Sequence, residues 1–350
     1  MNETPIPHDL PLPLPAPVPV LLAVLLVFFL MHIVFINMMI GGAFLTFWYQ
    51  IKGLKDKKWD NLAHDLANSI TVNKSIAVVL GVGPLLAINT LYTTYFYSAN
   101  ALTGDFWILV IPLVAGAFLL TYLHKFLWDS FPRWLHISIM GLVLVIFAFI
   151  PMIFLTQVTL MLQPERWPEI SGFWDAALTT QVMTRYAHFV LSCPAMIGLM
   201  MVWSWKRKPD ADVAHVGITR AEGIRIGYAW ALWPTLGQFL IGPLAWLTLP
   251  PVTGDTTEAN AVFAVSILVA ALASMLMWRE FNAPADRIGK LFTPVVVLML
   301  AVIVLMVVGR HLYREAAVDE HRTLITERTA RFGAASDAAR AAAEAEGAAQ

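Results

Sequence analysis

Long apolar stretches dominate this chain and limit what it can fold into. Each is long enough to cross the roughly 30 Å hydrocarbon core of a bilayer as an α-helix, which needs about 20 residues. The stretches are residues 17–49, 70–97, 106–128, 135–162, 182–205, 224–249, 261–278 and 291–310. A segment in lipid must satisfy its own backbone hydrogen bonds, and a continuous helix does so. The sequence therefore predicts an all-α fold, a polytopic transmembrane bundle of about eight helices.

The composition supports lipid as the solvent and excludes some function classes. Of the 350 residues, 58% are hydrophobic and 13% are charged, whereas soluble domains carry about 25% charged residues. The formal net charge of −1 gives no overall field that would attract nucleic acid. Cys193 is the one cysteine, so a Cys-x-x-Cys-His haem attachment site is excluded. Any haem bound by this chain must be held without covalent bonds to it.

Basic residues predict the orientation in the membrane. The loops after the second, fourth and sixth stretches contain Arg166 as their only Lys or Arg, and the N-terminal leader contains none. The loops after the odd-numbered stretches contain Lys52, Lys55, Lys57, Lys58, Lys125, Arg133, Lys206, Arg207, Lys208, Arg220, Arg279, Arg287 and Lys290. Because basic loops stay on the cytoplasmic side, we predict that both termini face outward, into the periplasm for a bacterial inner-membrane protein.

Changes in composition divide the chain into three parts. Residues 1–16 form a proline-rich leader without basic residues, which is the wrong charge for a signal peptide, so we expect it to be retained. Residues 17–312 form the transmembrane bundle. Residues 313–350 are rich in Ala, Glu and Arg and predict a solvated helix that frays near its end. A docking surface for a partner is the alternative interpretation of this tail.

Membrane-embedded histidines are the strongest candidates for chemistry, because ionisable groups inside a bilayer are costly and usually functional. His32 lies in the middle of the first stretch, His188 in the outer part of the fifth, and His311 at the end of the eighth. Imidazoles in helical bundles are common axial ligands of haem iron. A proton path is a second use, although it usually adds embedded Asp or Glu, and none lies deep in any stretch.

An arginine lies one helical turn from His188. Arg185 shares a helix face with His188, where it could pair with a haem propionate in a charge-assisted contact. The alternative is structural: His188 bonds a neighbouring helix and Arg185 extends to the membrane surface.

Less specific sequence features concern helix contacts and a quinol pocket. Gly41 and Gly81 lie in glycine-rich segments that permit close helix approach. The second stretch is polar toward its outer end, where side chains either line a quinol pocket or form interhelical hydrogen bonds. These side chains are Asn89, Thr90, Tyr92, Thr93, Thr94, Tyr95 and Tyr97.

Three motifs, in order along the chain, resemble subunit I of the cytochrome bd-type quinol oxidases. His32 followed by the Gly-Gly-Ala-Phe-Leu run at 41–45 resembles that family's first helix with its haem-ligating histidine. The Arg-Tyr-Ala-His run at 185–188 resembles the segment that ligates the low-spin haem b. The Gly-Arg-His run at 309–311 resembles the Gly-Arg-Gln stretch after the last core helix. The resemblance covers residues 17–315 and implies haem b and quinol as cofactor and substrate.

This sequence departs from the family's pattern, above all at residues that the family uses for oxygen reduction. The third stretch has no glutamate, whereas the family uses glutamates there for haem ligation and proton delivery. Val307 and Val308 stand where a glutamate precedes the family's Gly-Arg-Gln. The family's methionine that completes low-spin haem ligation should fall near Ile267 and Leu268, and it is absent there. The family's long outward quinol-binding loop is reduced to residues 250–260.

The sequence therefore predicts a membrane b-type cytochrome that passes electrons between the quinone pool and a periplasmic partner, such as a c-type cytochrome. The expected ligands are His32, His188 and His311, with Arg185 and Arg310 near the haem. Three alternatives remain: a genuine terminal quinol oxidase subunit, a haem-free quinol-interacting anchor of a redox complex, and a transporter. A transporter would show discontinuous helices and often an inverted repeat.

Overall fold

The computed structural model describes residues 5–9, 13–250, 252 and 254–348, with side chains at all of these except 69–75, 320 and 346–348. These residues form α-helices and one short 3-10 helix, with no strand among them. The helices are α1 Val18–Gly53, α2 Lys57–Leu91, α3 Thr93–Leu102, α4 Gly104–Trp107, α5 Val110–Phe126, α6 Arg133–Leu160, α7 Phe173–Ala177, α8 Thr180–Arg207, α9 Asp210–Val216, α10 Arg220–Leu247, α11 Thr257–Phe281 and α12 Phe292–Ala348. The 3-10 helix is Pro164–Glu169. The predicted all-α fold class is confirmed.

Six described segments are long and apolar enough to span a membrane. They are Val18–Gly53, Gly104–Phe126, Arg133–Leu160, Thr180–Arg207, Thr257–Phe281 and Phe292–Asp319. A seventh span is present if Ile76–Leu91 and Thr93–Leu102 count as one. The protein is therefore a multi-pass membrane protein by the length and composition of its helices.

The second predicted stretch is not one straight span. Its helix breaks at Tyr92, where α2 and α3 meet at a bend of 106°. Polar side chains next to the break bond the backbone of the preceding turn: Thr90 donates to the Leu86 carbonyl at 2.9 Å, and Thr93 donates to the Asn89 carbonyl at 2.8 Å. Such back-bonding bends helices. Apolar content does not register these hydrogen bonds, and it therefore predicted a single straight span.

The sixth predicted stretch is a helix, α10, but it is not among the six apolar spans. Its 28 residues are long enough to cross a bilayer. Its hydropathy is lowered by several tryptophans and glycines, by Gln238, and by Pro234 and Pro243 within the helix. Thr219 begins the helix as its N-cap and accepts a hydrogen bond from the Glu222 backbone N–H at 3.2 Å, in the Thr-x-x-Glu pattern of a capping box.

Glycines set the close packing of α1, α8 and α10. A Cβ placed on Gly41 of α1 would lie 2.2 Å from the Cys193 carbonyl oxygen of α8. A Cβ on Gly198 of α8 would lie 2.7 Å from the Gly227 carbonyl oxygen of α10. The prediction that Gly41 and Gly81 permit close approach is confirmed, because a Cβ on Gly81 would lie 2.7 Å from the His32 ring.

A buried carboxylate fastens the turn between α11 and α12. Glu280 is 2% exposed and accepts hydrogen bonds from the backbone N–H groups of Gly289 and Leu291, the latter at 2.7 Å. Lys206 at the end of α8 donates to the Gly289 carbonyl at 2.6 Å. These hydrogen bonds hold the turn against the C-terminal ends of α8 and α11.

The predicted leader and tail lie against each other. Ile6 is 1% exposed, its carbonyl accepts a hydrogen bond from Arg328, and the His8 ring stacks on Phe332 with ring centres 3.9 Å apart. α12 runs without a break from the bundle into the tail as far as Ala348. Residues 1–4 and 10–12 of the predicted leader and 349–350 of the tail lie outside the described residues.

Candidate functional site

A cavity of about 340 Å³ lies within the bundle, among α1, α8, α10, α11 and α12. Its volume falls in the range of small-molecule sites, about 300–1,000 Å³. Most of its lining is aliphatic or aromatic, and the fifth and eighth predicted stretches supply its charged and titratable side chains: His188, Arg185 and Arg310. Three of the five predicted site residues therefore share one cavity.

His188 presents its ring to this cavity from the outer part of α8. The Gln238 side chain of α10 donates a hydrogen bond to the His188 carbonyl at 2.8 Å, which fixes the two helices side by side. Gly242 faces the ring, and a Cβ there would lie 3.4 Å from the His188 Nε2 atom. Among the described residues neither ring nitrogen has a hydrogen-bond partner, so the imidazole is available to a ligand.

Arg185 and Arg310 place two positive charges at the cavity. Arg185 donates a hydrogen bond to the Thr159 hydroxyl. The Arg310 guanidinium lies over the Tyr313 ring, 5.4 Å from its centre, and its Nη2 atom is buried without a hydrogen-bond partner. No Asp or Glu is found in the described lining. The cavity therefore suits a largely apolar ligand that carries negative charge.

His32 lies outside the cavity lining. Residues 29, 33 and 37 of α1 face the cavity, whereas His32 points toward α2 and packs against Gly81. Its Nδ1–H donates to the Ala77 carbonyl at 2.7 Å. This bond is typical of histidines that use Nε2 as a ligand, so His32 stays a predicted ligand, but of a site separate from that of His188.

His311 also lies outside the cavity lining. Its Nδ1 accepts a hydrogen bond from Arg314 at 2.9 Å and lies 3.9 Å from a carboxylate oxygen of Glu315. Glu315 in turn accepts hydrogen bonds from Tyr92 and Arg322. The structure thus places His311 in a polar cluster beside the α2–α3 bend, and it does not bring His311 and His188 together.

The polar side chains around the α2–α3 bend are mostly engaged within the protein. Tyr92 bonds Glu315, Tyr95 donates to the Val318 carbonyl at 3.2 Å, and Ser98 donates to the Thr94 carbonyl at 2.7 Å. These contacts are the interhelical and intrahelical hydrogen bonds that the sequence left open as an alternative to a quinol pocket.

The contribution of α10 to the site was not predicted from the sequence. Gln238 bonds the backbone of His188, and Gly242 leaves room for the His188 ring. No sequence pattern linked either residue to His188. The pairing of two buried histidines, His124 and His136, was not predicted either; their ring centres lie 5.0 Å apart. No group of three or more His, Cys, Asp or Glu side chains suited to a metal ion is found in the described part of the chain.

Comparison with solved structures identifies a similar fold. The chain is similar to bd oxidase from Geobacillus thermodenitrificans, with a TM-score of 0.63 and 12% sequence identity over 86% of this chain and 87% of that chain. No protein-family model matches the sequence. No curated protein matches it either. At this identity the likeness concerns the fold: the chain is a multi-pass membrane protein with a distant bd oxidase-like architecture.

Proposed function

We propose that this chain is a membrane b-type cytochrome that holds at least one haem b in the cavity beside His188. The observation that carries the proposal is the pairing of an imidazole, unpartnered among the described residues, with two arginines in a largely apolar cavity whose described lining has no Asp or Glu. Haem b has matching parts: a flat apolar ring, an iron that takes histidine as an axial ligand, and two propionate carboxylates that pair with arginine.

The residues of the cavity fit this cofactor in distinct ways. The buried Nη2 atom of Arg310 lacks a partner, which a propionate oxygen would supply, and Arg185 would hold the other carboxylate. His188 would supply one axial ligand. Gly242 keeps the face of that imidazole clear of a side chain. The bound haem would supply reversible one-electron transfer, while the protein orients it and sets its electrostatic surroundings.

We further propose that electrons pass between membrane quinol and a periplasmic c-type cytochrome, without oxygen reduction by this chain. The bd oxidase-like fold supports the quinol side. Oxygen reduction consumes protons, and their delivery through lipid needs titratable groups. α5 contains no Asp or Glu, and α12 has none before Glu315. An electron conduit needs no proton path to its haem, although each quinol oxidised still releases two protons.

The functional test gives the isolated protein quinol in three mixtures: with oxygen, with an oxidised soluble c-type cytochrome, and with both. We expect cytochrome reduction in the last two and little oxygen uptake in the first. Rapid, cyanide-sensitive oxygen uptake by the chain alone would instead support a terminal oxidase subunit. A folded protein without haem that still binds quinol would support the haem-free anchor.

We propose that the chain crosses the bacterial inner membrane eight times, with both termini in the periplasm. The proposal counts α10 and the bent α2–α3 pair as crossings and relies on the basic loops that follow the odd-numbered crossings. We expect a phosphatase reporter, which is active only outside the cytoplasm, to be active after Gln350 and inactive after Lys208. The opposite pattern would reverse the orientation.

A further inference from the structure

Gln238 of α10 contacts the residue that we propose as the haem ligand, and this inference rests on the proposed function. The side-chain nitrogen of Gln238 donates a hydrogen bond to the His188 carbonyl at 2.8 Å. Both residues line the cavity. The amide of Gln238 is therefore held next to His188 by one of its two ends, and the other end, the Oε1 atom, lies close by.

The Gln238 Oε1 atom is a buried acceptor without a donor. It is shielded from solvent and forms no hydrogen bond with a described residue. Leaving a buried acceptor unsatisfied is costly, and most such groups in proteins have a partner. An unsatisfied oxygen in the lining of a cavity therefore indicates a donor that becomes available when the cavity is occupied.

The His188 ring can supply a donor of this kind. A neutral imidazole carries one N–H, on Nδ1 or on Nε2, and neither ring nitrogen of His188 has a hydrogen-bond partner among the described residues. A histidine that binds a metal ion through Nε2 carries its proton on Nδ1. Such histidines almost always donate this proton to a carbonyl oxygen, a carboxylate or water.

Gly242 indicates which edge of the ring faces open space. It follows Gln238 by four residues, so the two share a face of α10. A Cβ on Gly242 would lie 3.4 Å from both the Cδ2 and the Nε2 atoms of His188. Glycine thus leaves room at the Nε2 edge, whereas Nδ1 is the ring nitrogen nearer to the His188 backbone, to which Gln238 is bonded.

Other polar side chains of the described lining already have partners. Ser192, Thr235 and Ser266 donate to carbonyls of their own helices at 2.6–2.7 Å. The Asn37 Oδ1 atom accepts the Cys193 thiol at 3.5 Å. Among the side-chain acceptors of the described lining, Gln238 Oε1 is the one that is buried without a partner.

We propose that Gln238 is a positioning residue for the haem ligand: its Oε1 atom accepts the Nδ1–H of the His188 imidazole when the cavity holds haem. The juxtaposition that carries this proposal is one amide that is bonded to His188 through its nitrogen and keeps a buried, unsatisfied oxygen beside an imidazole that has an N–H to donate. The hydrogen bond fixes the tautomer that leaves Nε2 free for iron, and it makes the imidazole a stronger electron donor.

The test compares Gln238→Leu with Thr235→Val, two neutral changes that each remove a polar group from the α10 side of the cavity. The measurements are the midpoint potential and the low-spin electron paramagnetic resonance spectrum of the haem. A weaker imidazole donor stabilises oxidised iron less, so we expect Gln238→Leu to raise the potential and shift the g-values. Haem affinity should fall by about 10–100-fold, measured by transfer of haem to apomyoglobin. We expect Thr235→Val to match the unchanged protein.

Gln238→Glu gives the opposite expected result. A carboxylate accepts the Nδ1–H more strongly than an amide oxygen, so we expect a lower potential and g-values that move in the other direction from those of Gln238→Leu. If Gln238→Leu fails to fold, Gln238→Glu decides, and an unaltered resonance spectrum there would overturn the inference.

The outcomes separate this inference from the proposed function. A haem whose potential and g-values do not change in Gln238→Leu would overturn the role of Gln238 and leave the haem protein intact. Equal shifts in Gln238→Leu and Thr235→Val would also overturn it, because the effect would then follow from the polarity of the cavity alone. A folded, unchanged protein without haem would overturn the proposed function itself.

Discussion

Replacing His188 by alanine is expected to remove the low-spin haem signal from the purified protein. Loss of a residue that only hydrogen-bonds a metal ligand typically weakens a metal site by about 10–100-fold, and we propose His188 as a direct ligand. We therefore expect the low-spin signal per protein to fall at least about tenfold. The measurement is the reduced-minus-oxidised spectrum of equal amounts of monodisperse protein.

Two variants control this result. His32→Ala should leave the haem at His188 unchanged, because His32 faces α2 and Gly81 and does not line the cavity. Arg310→Gln should retain the haem but lower its midpoint potential, because a nearby cation favours the reduced state, which carries one more electron. An unaltered low-spin spectrum in His188→Ala would mean that this histidine is structural.

Replacing Gly41 by alanine is expected to destabilise the bundle strongly for so small a change. The added Cβ would lie 2.2 Å from the Cys193 carbonyl oxygen and 2.9 Å from Ile197. Helix backbone cannot move aside locally, so α1 and α8 must separate. Overpacking of this kind typically costs about 1–3 kcal/mol and sometimes more. We expect a lower thermal unfolding midpoint in detergent and a lower yield of monodisperse protein.

Gly116→Ala is the matched control for Gly41→Ala. Gly116 is also a helical glycine, in α5, and a Cβ there meets no atom within 4 Å. Alanine favours helix over glycine by about 1 kcal/mol, so this variant should be as stable as the unchanged protein or slightly more so. Equal midpoints for Gly41→Ala and Gly116→Ala would contradict the close α1–α8 contact.

The fold class could be predicted from the sequence because lipid imposes a simple length rule on apolar helices. The same rule failed to foresee the bend at Tyr92, because the bend depends on hydroxyl groups that bond the preceding turn. Mean hydropathy in turn does not mark α10 as a span, although the helix is long enough, because Gln238, Pro234 and Pro243 dilute its apolar character. These features depend on individual side chains and on neighbouring helices, which a window of mean hydropathy does not represent.

The candidate site could be predicted in part. Arg185 and His188 are one turn apart on one helix, so their shared face follows from helix geometry. That Arg310 joins them, while its neighbour His311 does not, depends on the rotation of α12 about its axis. Gln238 and Gly242 likewise reach the cavity through the packing of α8 and α10, which no local sequence pattern specifies.

The most direct test of the central claim is the haem content of this chain purified alone. We expect a reduced-minus-oxidised spectrum of a low-spin b-type haem, and we expect acid–acetone to extract all haem from the polypeptide, because Cys193 lies in no haem attachment motif. A folded, monodisperse protein supplied with haem during expression that shows no haem absorbance would contradict the account.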